Sequence, residues 1–102
     1  MIHVIAEIEV REGMLETFLK EFRRIVPIVR DEDGCIDYGP AVDRQINIEQ
    51  QPPIRNNVVT VIEKWTSEAA LKAHLTAPHM VDYRKRASAM IVSVSINALD
   101  PA

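Results

Sequence analysis

"VVTVIEKW", residues 58–65, has the composition of a β-strand but not the alternation of one with a wet face. Val58, Thr60 and Ile62 point to one side, while Val59, Val61 and Trp65 point to the other, so both sides are largely apolar. A strand with one solvated face would alternate apolar with polar residues. Both faces of any sheet that contains this strand therefore need cover, and the rest of the chain must supply it.

Upstream, "MIHVIAEIEV" alternates cleanly, with Ile2, Val4, Ala6, Ile8 and Val10 on one side and His3, Glu7 and Glu9 on the other. This is a strand with one face committed to a core. After the turn "REG" the period changes. Phe18, Phe22, Ile25, Val26 and Val29 recur at helical spacing from Met14 onward, and Pro27 predicts a kink or an early break there. "DEDG" ends the helix, and "CIDYGPAVD" reads as a short second strand interrupted by Gly39 and Pro40. The stretch "RQINIEQQPPIRNN" predicts a brief edge strand around Ile46 to Ile48, followed by a surface loop at Pro52 and Pro53.

Downstream, Ser67 is a good N-cap for a helix whose inner stripe is Ala70, Leu71, His74 and Leu75. Pro78 restarts a helix at "HMVDYRKRASAM", and "IVSVSINAL" alternates as a last strand. The order β-α-β-β-α-β predicts an α+β, ferredoxin-like fold, an antiparallel sheet with its helices on one face. Helices cover only that face. A second copy of the same sheet is the economical cover for the other, which predicts a homodimer packed through the open face.

The 102 residues suit one domain, residues 1–102, and 47% hydrophobic against 5% aromatic content implies an aliphatic core. A net charge of −3 argues against nucleic acid or an anionic membrane surface as partner. The single cysteine, Cys35, excludes an internal disulfide and suits a reducing compartment. The first residues lack a basic leader pattern, and no apolar run reaches the ~20 residues of a membrane span. The expectation is a cytoplasmic domain.

The chemical interest lies in "EKWTSEAALKAHLTAPHM", residues 63–80. A helical zinc pair wants two histidines four residues apart, whereas His74 and His79 are five apart with Pro78 between them. No carboxylate or thiolate cluster lies nearby in sequence, so no metal site is assigned. General-base chemistry suits either histidine better. His79 follows Pro78 at a helix start, where the dipole disfavours a second positive charge, and a neutral imidazole can take a phenolic proton. Its bland alternative is an exposed helix-start residue; that of His74 is a hydrogen-bonded core residue. Trp65 is a core residue or the flat wall of a pocket for a planar ring, and Tyr38 and Tyr83 are candidate hydrogen-bond handles. "YRKR" at 83–86 is mostly a solvated face, with Arg84 the candidate to stabilise an anion. Cys35 reads as inert. No P-loop, G-x-G-x-x-G or G-x-S-x-G motif is present.

These residues carry a resemblance. "VIAEIEV" with "REG", "IVPIV", "EDGCIDYGPAVD" and "EKWTSEAALKAHLTAPHMVDY" together resemble the antibiotic biosynthesis monooxygenase domain, and within it the bacterial quinol monooxygenase subgroup. The resemblance implies a dimeric α+β barrel. It also implies oxygenation of a quinol or other small aromatic substrate by O2 without metal, flavin or haem. His74 or His79 would be the catalytic base, with Tyr38, Trp65, Met80, Tyr83 and Arg84 around the substrate. Places that carry an asparagine, a tryptophan and a haem-binding histidine in haem-degrading relatives hold Ala6, His74 and Arg84 here, which argues against haem degradation. Val61 and Leu71 stand where polyketide-oxidising relatives have an asparagine and a tyrosine. An isomerase of a small signalling metabolite and a non-catalytic ligand-binding dimer are the alternatives.

Overall fold

A computed structural model describes all residues, 1–102. The elements are β1 (Ile2–Val10), α1 (Leu15–Arg30), β2 (Cys35–Val42), β3 (Val58–Trp65), α2 (Glu68–Leu75), α3 (Pro78–Ala87), a 3-10 turn (Ser88–Met90) and β4 (Ile91–Leu99). All pairings are antiparallel, in the order β2-β3-β1-β4. This is the ferredoxin-like arrangement expected from the sequence.

The register explains the core. Ala6 lies opposite Val61, and Val4 opposite Glu63, so the buried even positions of β1 share a face with the buried odd positions of β3. Phe18, Phe22, Ile25, Val26 and Val29 of α1 close over that face. The opposite face carries Ile62, Leu99 and the partly buried Ile5 and Val58, with no helix above them.

Three expectations are corrected. α1 does not break at Pro27 but continues to Arg30. Pro27 is exposed, so the backbone carbonyl it cannot bond faces water, while Ile25, Val26 and Val29 on the other side hold the last turn to the core. β2 is continuous through Gly39 and Pro40. It is the edge of the sheet, where a residue without an N–H costs little. No strand forms at Ile46 to Ile48. That segment is part of an irregular excursion in which Arg55 binds Asp43, at 3.0 Å from Nε, and Glu7.

Helix α2 begins where Ser67 Oγ accepts the Ala70 N–H at 3.1 Å. After Thr76 and Ala77 the chain restarts with Pro78 at the first position of α3. This break separates α3 from α2, so His74 and His79 need not obey the geometry of one helix. The helices also leave the β4 edge bare: Val94 and Ile96 fall in register with Ile8 and Ala6, yet are about half exposed. A cavity occupies the gap.

Candidate active site

The cavity measures about 290 Å³ and lies between the sheet and the helices, open on the β4 side. Its walls are mainly apolar. Ala6 and Val61 form part of the floor, Phe22 and Met80 the helix side, and Val94 and Ile96 the rim. Five titratable side chains line it, Tyr38, Glu63, His74, Tyr83 and Arg84. An apolar slot with a few converging polar groups is the usual form of a small-molecule site.

His74 is 2% exposed, with its ring against the indole of Trp65 at a centroid separation of 4.8 Å and edge-on to Tyr38 at 5.4 Å. Glu32, from the turn after α1, bonds its Nδ1 through Oε2 at 2.8 Å. The same oxygen bonds Nε2 of His79 at 2.7 Å. One carboxylate oxygen thus receives both imidazoles and orients each ring. No protein group bonds Nε2 of His74, and His74 lines the cavity. Burial lowers the pKa of His74, and the Glu32 hydrogen bond opposes that shift only in part. The ring is therefore neutral near pH 7, a base held by a carboxylate behind it.

Glu32 was not legible in the sequence as part of this group, because 42 residues separate it from His74. It supplies the carboxylate that seemed missing for a metal site, and all three ligand atoms lie within 4.8 Å of one another. Two imidazoles and a carboxylate are a competent donor set for a divalent ion. The two oxygen–nitrogen separations, however, are hydrogen-bond lengths. Donors sharing a tetrahedral zinc would stand about 3.3 Å apart. As folded, the trio is a hydrogen-bonded relay, and it becomes an ion cage only if its atoms move apart.

The other candidates are placed as follows. Tyr38 lines the cavity, and burial pushes its hydroxyl well above the ordinary phenol range. Its ring stacks on Phe22 at 5.8 Å. Tyr83 and Met80 line the helix side, and the Tyr83 hydroxyl is buried with no hydrogen-bond partner. Arg84 reaches the cavity while donating to the Leu75 carbonyl. His79 stands behind the site, touching it only through Glu32. Trp65 is fully buried and is not a wall of the cavity; it backs His74 and Glu63 instead. Two residues that the sequence did not single out, Glu32 and Glu63, are therefore central. Glu63 alone had a visible signal, a charge on the inner side of an otherwise apolar strand.

No helix is long and apolar enough to cross a membrane. The sequence profile of the family described as "Antibiotic biosynthesis monooxygenase" matches residues 1–86. The chain is 38% identical, over 99% of its length and 98% of the relative's, to a protein of Escherichia coli (strain K12) named "Probable quinol monooxygenase YgiN". Among solved structures, PA3566 from Pseudomonas aeruginosa aligns with a TM-score of 0.82 at 27% identity, covering 99% of this chain and 93% of that one. A structure described as an antibiotic biosynthesis monooxygenase aligns at 0.83 and 22% identity over 100% of this chain and 99% of that one, a likeness of fold. With the profile spanning most of the chain and a relative matched nearly end to end, this chain belongs to the antibiotic biosynthesis monooxygenase family.

Proposed function

We propose that this protein oxygenates a quinol or another small phenol with O2, using His74 as the base that makes the substrate anionic. The observation that carries the reading is the state of His74: buried, neutral, held through Nδ1 by Glu32, with Nε2 uncommitted on the wall of an apolar cavity. The name of the E. coli relative supports the quinol class.

The chemistry suits such a site. Triplet O2 reacts slowly with closed-shell molecules, but a phenolate is electron-rich enough to give up one electron, after which the radical pair combines. The protein must bind the ring, remove a proton and hold the anion in a dry place. The aliphatic walls accept the ring. Nε2 of His74 accepts the proton, and Glu32 stabilises the imidazolium that results. Arg84 and the unpartnered Tyr83 hydroxyl stabilise the oxyanion. No step in this scheme calls on a metal, flavin or haem. The active unit is proposed to be a homodimer through the open sheet face, which covers Ile62 and Leu99.

The test is oxygen uptake by chelator-treated protein with a reduced naphthoquinone, against a protein-free autoxidation control. Uptake that exceeds the control and collapses in His74→Ala supports the reading. Substrate conversion without O2 would favour an isomerase instead. Ligand binding with uptake no faster than autoxidation would leave a binding module.

A further inference from the structure

Glu63 is a buried carboxyl that the scheme above does not use. It sits near the middle of the sheet on β3, is 6% exposed and lines the cavity among aliphatic side chains. Oε1 accepts the indole N–H of Trp65 at 2.9 Å, and no protein donor or cation engages the other oxygen. A carboxylate stripped of water without a cation or several donors is costly, and protonation is the usual relief.

The surroundings agree with a protonated group. Burial is the main cause raising the pKa of Glu63 to about 7; the Trp65 hydrogen bond opposes it, and the Glu32 charge adds to it. Burial pushes Tyr38 and Cys35 further toward their neutral forms, so neither offers a charge that would hold Glu63 ionised. Against the ring of the same Trp65, burial shifts His74 the opposite way. Below about pH 7, a neutral carboxylic acid and a neutral imidazole lining one apolar cavity are a matched acid and base.

We propose that Glu63 is the general acid of this site, giving its proton to the peroxide that forms when O2 adds to the substrate ring. The role rests on the oxygenase reading and completes its proton balance. His74 takes the proton of one hydroxyl. The anion gives two electrons to O2 as a C–O bond forms at the neighbouring ring carbon, which still bears its hydrogen. Glu63 protonates the distal oxygen of that peroxide and becomes a carboxylate. The carboxylate then removes the ring-carbon hydrogen as a proton, a second carbonyl forms and the O–O bond breaks. The departing hydroxide takes the proton from His74 and leaves as water. Hydroquinone plus O2 gives hydroxyquinone plus water, and both residues return to their starting states. The sequence also narrows the substrate to hydroquinones with a hydrogen on a carbon next to a hydroxyl.

The experiment compares wild type and Glu63→Gln with 1,4-naphthohydroquinone, measuring O2 uptake, hydroxyquinone and hydrogen peroxide. Glutamine keeps an acceptor for Trp65 but cannot deliver this proton. The expected result is at least a ~10-fold loss of hydroxyquinone formation. Most of the O2 still consumed should appear as hydrogen peroxide: without Glu63 the adduct takes the proton of the second ring hydroxyl, expels HOO⁻ to leave quinone, and the HOO⁻ takes the proton from His74. A variant that makes hydroxyquinone at the wild-type rate without peroxide overturns the role. An infrared band of a protonated carboxyl in resting wild type at pH 6, missing in the variant, supports it. Absence of that band in wild type overturns it whether or not the variant folds. No enzyme-dependent uptake by wild type would overturn the oxygenase reading itself and the acid role with it.

Discussion

Gly34 and Ala70 approach so closely that a Cβ on Gly34 would stand 2.5 Å from the Cβ of Ala70 and 2.7 Å from Thr66 Oγ1. Gly34 also has φ +83, in the region that side chains disfavour. This contact docks the turn that carries Glu32 against the start of α2, and the Thr66 N–H bonds the Gly34 carbonyl at 2.8 Å. Gly34→Ala is expected to destabilise the fold by about 2–4 kcal/mol, through backbone strain plus overpacking. Urea denaturation measures it. A cost below ~1 kcal/mol would mean that the turn moves freely relative to α2.

The two histidines should separate in kinetics. His74→Ala removes the group that faces the cavity and is expected to lower kcat by about 10²–10⁴-fold. Glu32→Gln keeps the shape but loses the charge that holds His74, and a loss of roughly 10-fold is expected, with the acid limb of the profile displaced. His79→Ala should fall well short of the His74 effect. Because burial lowers the pKa of His74, the acid limb in wild type should lie below the ordinary imidazole value of 6.5. Steady-state oxygen uptake across pH decides all four points.

Glu63 makes a separate prediction for stability. Burial raises its carboxyl to about 7 in the folded protein, above the 4.5 of a solvated glutamate. Between those values the folded state holds a proton that the unfolded chain has released, so unfolding becomes easier as pH rises. The stabilisation from Glu63 is complete below about pH 4.5 and lost as pH passes through about 7. Denaturant midpoints of Glu63→Gln minus wild type should therefore climb in favour of the variant across that window and level off above it. The span is of order 3 kcal/mol in unfolding free energy. A flat difference would place an ionised carboxylate in the free protein.

Tyr83 has a buried hydroxyl with no partner, which is a cost in the empty protein. Tyr83→Phe should raise stability by about 1 kcal/mol while raising the KM for the quinol. Thermal unfolding and steady-state kinetics on the same preparation check both signs. A stability loss with an unchanged KM would assign the hydroxyl a structural partner instead.

The open sheet face offers a test of assembly. Ile62 is 47% exposed at its centre, directly opposite Ile5. In a face-to-face dimer, Ile62→Lys buries an unpaired charge and should give monomers by light scattering. A variant with the wild-type molar mass would move the interface elsewhere.

The fold was largely legible because its signals are local. The period-two pattern of β1, the inner stripe of α1 and the cap at Ser67 each lie within one window of sequence. The misreadings came where tertiary context overrode a local rule. Pro27 was harmless because its face is solvent, Gly39 and Pro40 because β2 is an edge, and Ile46 to Ile48 found no neighbouring strand. In the site, His74, Tyr38, Met80, Tyr83 and Arg84 were visible because they cluster in sequence or stand out by type. Glu32 was not, because only the folded chain brings the turn after α1 to two helix segments that follow it by more than forty residues. Of the two readings of Trp65, core residue and pocket wall, its full burial agrees with the first.

That last placement has a use. The molecule's sole tryptophan shares a hydrogen bond with one carboxyl and a ring contact with one imidazole, the acid and base proposed above. Its emission should change in two steps as acid and base titrate, and change again when a ring enters the cavity beyond them. The protein therefore carries its own optical indicator, and the protonation history of a single turnover can be followed in a stopped-flow trace without any added label.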